Sequence, residues 1–516
     1  MMEDSGTDKI HNNKRIAQNT LILYVRMLIT IGVGLFTSRV VLNTLGIEDF
    51  GIYNVVGGII AMFGFINQAM AASTSRYLTF ALGSSDYSLL KKVFNLSLSI
   101  HALLSVLIVL LGESIGLWFF YEKMQIPAAR LEAAFWVYQL SILSSVLTIM
   151  SVPYNASIIS HEKMGAFAYI TLSDVVLKLL IVYLLVMMPF DKLIVYGILF
   201  LLAQVINQSI YMIYCRKKFE ETKLCFVWDK QLFREISSFA GWSLFGNMAY
   251  VAYTQGLNLL LNIFFGPAVN AARGIAVQAQ GTITRFISSF QTAINPQITK
   301  TYAAGELNAM HKLIFASSKY SFFLLLLLSL PVLIETRPLL IWWLRIVPDY
   351  TVTFFRIMLL TSLIESLANP LIIAAGATGR IRLYQQFVGG ILLLILPISY
   401  VSLKMGASPA SVFVVQFICN IVAQSIRVIL LRSMISFPIR AYCRKVMVRV
   451  FVVFLLSLGV SVMIYQLLPS NAIAEVMAVC VLVAISTLFI AYAAGTDKSE
   501  KLVIRQKIVA KFAKIR

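Results

Sequence analysis

Charged residues are scarce in this sequence, and acidic residues are the scarcest of them. Asp, Glu, Lys and Arg make up only 13% of the 516 residues, with 23 acidic against 43 basic side chains. A soluble domain has about 25% charged residues, so this composition excludes an ordinary soluble protein. In their place, 59% of the residues are hydrophobic and the mean hydropathy is +0.83. The composition predicts an all-α polytopic membrane protein.

The sequence also lacks the motifs of several enzyme and metal-binding classes. Its five cysteines form no Cys-x-x-Cys pair and have no histidine at zinc-site spacing, so neither a disulfide framework nor a zinc site is supported. It contains no Gly-x-x-x-x-Gly-Lys-Ser/Thr loop, no His-Glu-x-x-His and no Gly-x-Ser-x-Gly sequence. We therefore expect no enzymatic activity, no cofactor and no bound metal.

Apolar segments account for most of the chain, each near the roughly 20 residues that cross about 30 Å of hydrocarbon. The first is too long for the hydrophobic part of a secretory signal and lacks a small-residue cleavage site, so we expect a retained helix. The fourteen predicted segments are 21–42, 51–70, 94–112, 133–152, 166–188, 193–214, 237–264, 275–294, 316–336, 353–375, 385–403, 409–431, 447–468 and 473–494.

The distribution of basic residues predicts the orientation in the membrane. An even number of segments places both chain ends on one side, which then holds 31 of the 43 Lys and Arg residues, against seven on the opposite side. Loops on the cytoplasmic side are enriched in Lys and Arg, so both termini are predicted to be cytoplasmic. The net charge of +20 is explained by this topology and by contact with anionic membrane lipids, and nucleic acid is not an expected partner.

Sliding the chain along itself by 217 residues indicates an internal repeat, in which Pro153 falls on Pro370. With a shift of 219 to 220 residues, the end of segment 1 (Leu42-Asn43, Gly46) matches the end of segment 7 (Leu261-Asn262, Gly266). Six segments separate the copies, so both have one orientation, as in two-lobed alternating-access transporters. The predicted domains are an N-terminal lobe at 1–214, a cytoplasmic linker at 215–236, a C-terminal lobe at 237–432, and two extra helices with a basic tail at 433–516.

Polar residues recur at helical spacing inside several segments, which predicts helix faces in contact with water. A charge in the hydrocarbon region is costly, so Arg26 and Arg285 are expected to face a polar cavity. The stripes are Gln278, Thr282, Arg285, Ser289 and Thr292 in segment 8, Asn247, Thr254 and Asn258 in segment 7, and Asn19, Arg26, Thr30 and Thr37 in segment 1.

Three other charges inside segments have two interpretations each. Asp174 and Lys178 are four residues apart, so they either neutralise each other as an intrahelical ion pair or act in ion coupling and substrate binding. Glu365 either neutralises Arg285 or takes up a coupling proton. Its equivalent in the first repeat is Thr148, so this carboxylate belongs to one lobe only.

Parts of the sequence resemble the bacterial polysaccharide (O-antigen-type) flippases of the multidrug/oligosaccharidyl-lipid/polysaccharide exporter superfamily. The likeness covers roughly residues 15 to 435, and the fourteen helices are similar to the lipid II flippases. The matching residues are Asn19-Thr20-Leu21, Ser38-Arg39-Val40-Val41-Leu42-Asn43-Thr44-Leu45-Gly46, Asp49-Phe50-Gly51-Ile52-Tyr53 and Asn295-Pro296-Gln297-Ile298.

The resemblance implies a cationic cavity between two six-helix lobes that holds a polyprenyl-diphosphate-linked oligosaccharide. Arg26, Arg285 and Lys178 would bind this substrate, with Gln278, Thr282, Ser289, Asn247 and Asn258 lining the cavity. It also implies a bacterial inner-membrane location, a role in surface polysaccharide (lipopolysaccharide O-antigen) synthesis, and polysaccharide-assembly proteins as partners.

Two alternative functions remain open. A cation-coupled multidrug efflux antiporter would use Glu365 or Asp174 for ion coupling, although segment 1 lacks the acidic residue that drug-exporting relatives commonly have. A membrane glycosyltransferase or polymerase would need room for sugars outside the bilayer. The longest predicted outer loop, 113–132, has only about twenty residues, which favours a transporter.

Overall fold

The computed structural model describes residues 19–34, 64–122, 126–225, 227–344, 347–468, 472–497 and 500–501. Between 35 and 63 it describes only residues 36–37, 40–41, 44–46, 49, 52–53 and 56. In these residues all regular secondary structure is helical. The predicted all-α class is confirmed.

The helices in the first half of the chain are long. They are α1 (Asn19–Gly34), α2 (Gly64–Gly83), α3 (Tyr87–Leu111), α4 (Leu117–Glu122), α5 (Leu131–Ser160), α6 (Met164–Met187), α7 (Lys192–Lys218) and α8 (Lys230–Ala303). A π-helical segment, Gly112–Gly116, joins α3 to α4. Helix therefore occupies part of the stretch 113–132 that was expected to be a loop.

The second half repeats this pattern with two further long helices. Its elements are α9 (Leu307–Ile334), α10 (Thr336–Leu344), α11 (Thr351–Ala377), α12 (Arg382–Lys404), α13 (Ser411–Ile435), α14 (Ile439–Tyr442), α15 (Val448–Leu467) and α16 (Ile473–Gly495). A π-helical segment, Cys443–Met447, makes α14 continuous with α15.

Ten helices of the described chain are long and apolar enough to cross a membrane. The predicted segments without such a helix correspond to the shorter α1, to α2, and to the two parts of α8. Segment 51–70 lies largely outside the described residues. The helix α8 spans 74 residues and is broken at Gly266, whose φ of 79° and ψ of −173° are not helical. It contains both segment 7 and segment 8. The described residues thus form a multi-pass helical fold with ten candidate crossings, and the total of fourteen stays a prediction.

Backbone conformation supports the internal repeat. The two prolines that the 217-residue shift superimposes both lie inside a long helix, α5 and α11. Turns at matching places also use residues with positive φ, a conformation that most side chains avoid. The matched pairs are Gly46 and Gly266 (80° and 79°), Ser85 and Gly305 (57° and 75°), and Glu162 and Gly379 (57° and 75°).

The chain divides into two compact units, and α8 contributes to both. Unit 1 consists of Met1–Met248 and Thr292–Glu306. Unit 2 consists of Ala249–Gln291 and Leu307–Arg516. Unit 1 thus contains both ends of this long helix, and unit 2 contains its middle.

A buried carboxylate in unit 1 holds the turn between α5 and α6 against the end of α8. The side chain of Glu162 is only 1% exposed. Its Oε1 accepts from Lys300 Nζ at 2.6 Å and its Oε2 from Gln297 Nε2 at 2.5 Å. Beside this contact, a Cβ on Gly83 would lie 2.8 Å from the Cα of Lys300, so α2 can approach α8 this closely only with glycine.

The connection between α7 and α8 is also fixed to unit 1. The Nδ2 of buried Asn95 donates to the carbonyls of Glu221 and Lys223, and its Oδ1 accepts from the Cys225 amide at 2.8 Å. The ring of His161 stacks on Phe219 with centroids 4.1 Å apart. The residues between these helices therefore form an ordered part of unit 1.

Candidate functional site

Unit 1 has a polar cluster formed by α1, α6 and α7. The guanidinium of Arg26 lies over the Phe167 ring, 4.8 Å from its centroid. Its Nε is buried without a hydrogen-bond partner among the residues that the structure describes. Cation–π contact offsets part of the desolvation of the charge but satisfies none of the N–H donors.

Tyr211 on α7 lies at the centre of this cluster. It forms a hydrogen bond with Thr171 and interacts electrostatically with both Arg26 and Asp174. Asp174 forms the ion pair with Lys178 that their spacing allows, with Oδ2 and Nζ 2.8 Å apart. Lys178 is 45% exposed, so this pair joins the cluster to the surface of unit 1.

Unit 2 contains a half-open cavity of about 280 Å³. Because one water occupies about 30 Å³ of liquid, the cavity has room for several. Polar side chains from α8, α11 and α13 line it, including Tyr253, Gln291, Ser362, Glu365, Asn420 and Arg427. The carboxyl of Glu365 therefore lies in a hydratable pocket inside a single unit.

Hydrogen bonds fix the walls of this cavity. Gln291 Nε2 donates to Ser321 Oγ and to the Ser366 carbonyl, both at 3.1 Å. Gln280 Nε2 donates to Ser362 Oγ at 2.7 Å. These amides link α8 to α9 and α11 along the walls of the cavity.

Arg427 is the cation that faces Glu365. It is 6% exposed, its Nε donates to Tyr384 Oη at 3.1 Å, and it interacts electrostatically with Glu365. The two side chains form no ion pair, since none of the described ion pairs within 4.0 Å joins them. The interpretation in which Glu365 neutralises Arg285 is wrong, because the neighbouring cation is Arg427.

Tyr211 and Arg427 are not among the predicted site residues, although the sequence contains a signal for both. With a shift of 216 residues, Gln208-Ser209-Ile210-Tyr211 falls on Gln424-Ser425-Ile426-Arg427. The polar centres of the two units thus use one repeated position, with a phenol in the first copy and a guanidinium in the second. Arg427 lies near the end of segment 409–431, outside the three polar stripes on which the site prediction rests.

The stripe predicted on segment 8 does not line the Glu365 cavity. Gln278, Thr282 and Arg285 are exposed on unit 2, whereas Ser289 is buried and donates to the Arg285 carbonyl at 3.2 Å. The cavity is instead lined by Thr284, Ser288 and Gln291 on a neighbouring face of α8. Arg285 and Glu365 therefore belong to different environments.

The stripe predicted on segment 7 is divided in the same way. Asn258 Oδ1 accepts from Arg273 Nη1 at 3.1 Å, and Arg273 Nη2 also donates to the Thr254 carbonyl at 2.6 Å. Arg273 thus folds back onto α8 across the break at Gly266. Asn247 is partly exposed and belongs to unit 1.

Solved structures with a similar fold are membrane transporters. An outward-facing multidrug resistance MATE family transporter of the MOP superfamily matches with a TM-score of 0.70 and 14% identity, over 82% of this chain and 96% of that one. A MATE in the straight conformation gives 0.67 and 16% over the same shares. A MOP superfamily transporter from Pyrococcus furiosus, described by the reverse polarity of its binding pocket, gives 0.60 and 14% over 83% and 96%.

No family model and no curated protein matches the sequence. The structural likeness extends over more than four fifths of the chain, at identities of 14% to 16%. Such identities establish architecture rather than substrate. The chain has the multi-pass fold of the MATE transporters of the MOP superfamily.

Proposed function

We propose that the protein is an alternating-access flippase that moves a polyprenyl-diphosphate-linked oligosaccharide across the bacterial inner membrane for surface polysaccharide synthesis. Both termini are cytoplasmic in this proposal, and polysaccharide-assembly proteins supply and receive the substrate. The transporter fold, the paired repeats and the scarcity of acidic residues support it.

The exposed stripe on α8 is the observation that favours an anionic substrate. Gln278, Thr282 and Arg285 are exposed on a helix that the sequence predicts to cross the bilayer. In the described parts of the chain no carboxylate forms an ion pair with Arg285. An Arg at membrane depth is costly unless it faces water or an anion, and its guanidinium matches phosphate with two parallel hydrogen bonds.

Arg26 supports the same chemistry from unit 1. Its unsatisfied Nε and its position over Phe167 leave hydrogen-bond donors for an anionic group. In this proposal an arginine replaces part of the hydration of the diphosphate while the lipid tail stays in the bilayer. An inside-negative potential favours outward movement of two negative charges by up to ~4–5 kcal/mol per 100 mV, so the potential itself drives export.

Cation-coupled multidrug efflux is the second candidate, and the Glu365 cavity favours it. A carboxyl in a hydratable pocket, opposite Arg427 but not bonded to it, has the surroundings expected of a group that exchanges a cation. The Asp174 carboxylate, by contrast, is already paired with Lys178. The flippase proposal therefore depends on the positive charge of Arg285, whereas the efflux candidate depends on the carboxyl of Glu365.

The test of the flippase is transport by reconstituted protein. Vesicles containing Arg285→Ala are expected to flip a fluorescent polyprenyl-diphosphate sugar about tenfold or more slowly than wild type, because a hydrogen bond to a charged group contributes about 1.5–3 kcal/mol. Arg285→Lys should be intermediate, since an ammonium cannot bind in bidentate fashion. Arg337→Ala, which removes another exposed arginine of unit 2, is the matched control and should keep the wild-type rate.

Two results would contradict the proposal in different ways. Wild-type flipping by Arg285→Ala at normal protein level would remove Arg285 from the mechanism. Wild-type protein that exports a cationic dye but not the lipid-linked sugar, with export abolished in Glu365→Gln, would establish efflux instead.

A further inference from the structure

Four exposed cations surround the connection between α13 and α15. Arg432 lies in the last turn of α13, while Arg440, Arg444 and Lys445 lie on α14 and the π-helical segment after it. We call these four residues the α13–α15 basic surface. None of them belongs to an ion pair within the described residues.

The length of the helix places this surface at the edge of the bilayer. The continuous helix Ile439–Leu467 has 29 residues. At about 1.5 Å per residue it is ~44 Å long, whereas the hydrocarbon core is ~30 Å thick. About nine residues therefore project into the layer of lipid headgroups. The stretch 448–467 contains one charged residue, Arg449, so the projecting end is the one with Arg440, Arg444 and Lys445.

Aromatic packing holds the basic surface rigidly on α9. Buried Phe437 lies 5.6 Å from the His311 ring and 5.3 Å from the Tyr442 ring, between centroids. Phe315 contacts both Phe437 and Tyr442 at 5.7 and 5.6 Å, and His311 Nε2 lies 3.1 Å from the Ile435 carbonyl oxygen. The four cations therefore extend from a fixed backbone, so little backbone conformational entropy is lost when they bind a ligand.

Nearby carboxylates have other partners. Asp497 binds Arg449, and Glu500 binds Lys319 at 2.7 Å. Burial tends to raise the pKa of Asp497, but Arg449, with smaller effects from Lys319 and Lys445, holds that pKa below its usual range. The chain beyond offers no counter-charge either, because residues 501–516 contain six Lys or Arg and no Asp or Glu.

We propose that the α13–α15 basic surface binds the phosphate groups of anionic phospholipids. Each cation at a membrane surface contributes about 1 kcal/mol of attraction to anionic lipid, and the arginine fork adds geometric fit to phosphate. Membrane orientation alone explains why this connection is basic. It does not explain why four aromatic rings anchor the connection while none of its four cations forms an ion pair within the described residues. The inference stands independently of the transported substrate.

The experiment is a lipid titration of the full-length, delipidated protein in detergent. Wild type is expected to bind fluorescent phosphatidylglycerol more tightly than phosphatidylcholine. In Arg440→Gln/Arg444→Gln/Lys445→Gln the dissociation constant for phosphatidylglycerol should rise about tenfold or more, given about 1 kcal/mol per cation. The matched control, Lys91→Gln/Lys92→Gln/Lys312→Gln, removes three exposed cations elsewhere and should leave the constant unchanged.

Arg440→Lys/Arg444→Lys keeps the positive charge and should retain most of the phosphatidylglycerol binding. This variant shows whether the weaker binding of the triple variant comes from lost charge or from misfolding. Unchanged phosphatidylglycerol binding by the triple variant would overturn the proposal, and so would an equal loss in the control. Displacement of phosphatidylglycerol by polyprenyl diphosphate at far lower concentration would assign the surface to a transported lipid and overturn the phospholipid assignment.

Discussion

Lys300→Met is expected to lower the free energy of unfolding by about 3–5 kcal/mol, since it removes a cation that is bound to a deeply buried carboxylate. The affected group is Glu162, which is 1% exposed and binds Lys300 and Gln297. A carboxylate so deeply buried cannot recover the lost interaction from water. Chemical denaturation of the purified protein, followed by tryptophan fluorescence, measures the loss.

The backbone at Glu162 strengthens this expectation. Its φ of 57° is unfavourable for a residue with a side chain, and the equivalent turn in the second repeat has Gly379 at 75°. The first repeat keeps glutamate despite the strain, so the contacts of its side chain outweigh that cost. Glu162→Gln/Lys300→Met should regain more than half of the lost stability, because the uncompensated charge is gone.

The matched control is Lys312→Met, which removes an exposed lysine that forms no described ion pair. It should unfold at the wild-type denaturant concentration. Wild-type unfolding by Lys300→Met as well would show that Glu162 is stabilised by some other group.

Arg427→Gln is expected to destabilise the protein by about 1.5–3 kcal/mol, the contribution of a hydrogen bond that involves a charged group. The substitution removes the cation that faces Glu365 and the hydrogen bond to Tyr384. Glu365→Gln/Arg427→Gln should recover part of the loss, because no net charge then remains between these positions. Thermal melting of the four proteins of this cycle gives the interaction energy directly.

The same cycle separates the two roles considered for Glu365. If Glu365 only balances the charge of Arg427, the double variant transports like wild type. If Glu365 instead takes up the coupling ion, the double variant is stable but its transport is no longer coupled to that ion. Lys404→Gln, at the exposed end of α12, controls for removal of a positive charge. Additive losses in the double variant would contradict any coupling between Glu365 and Arg427.

Helix positions were predictable because membrane crossing imposes a length and a composition. Segments such as 353–375 and 473–494 fall within one to two residues of α11 and α16. The polar ends of helices were not predictable in this way. For example, α9 begins nine residues before segment 316–336, in a stretch that does not need to be apolar because it is not predicted to lie in the membrane. Helix outside the bilayer depends on packing, which hydropathy does not describe.

Site residues were predicted unevenly for a related reason. The spacing of Asp174 and Lys178 was sufficient to predict their ion pair, because one helix determines their distance. The partner of Glu365 lies on another helix, so only a three-dimensional arrangement could identify Arg427 rather than Arg285. The periodicity of polar residues distinguishes a polar helix face from an apolar one, but it does not distinguish a cavity from an open surface.

The path of α8 has a consequence for the ancestry of the fold. Unit 1 includes Thr292–Glu306, although these residues belong to the second sequence repeat. From this stretch, Lys300 forms an ion pair with the buried Glu162 of the first repeat, and Gln297 donates a hydrogen bond to it. The first copy therefore completes a buried polar contact with residues of the second. The boundary between the sequence repeats and the boundary between the compact units do not coincide.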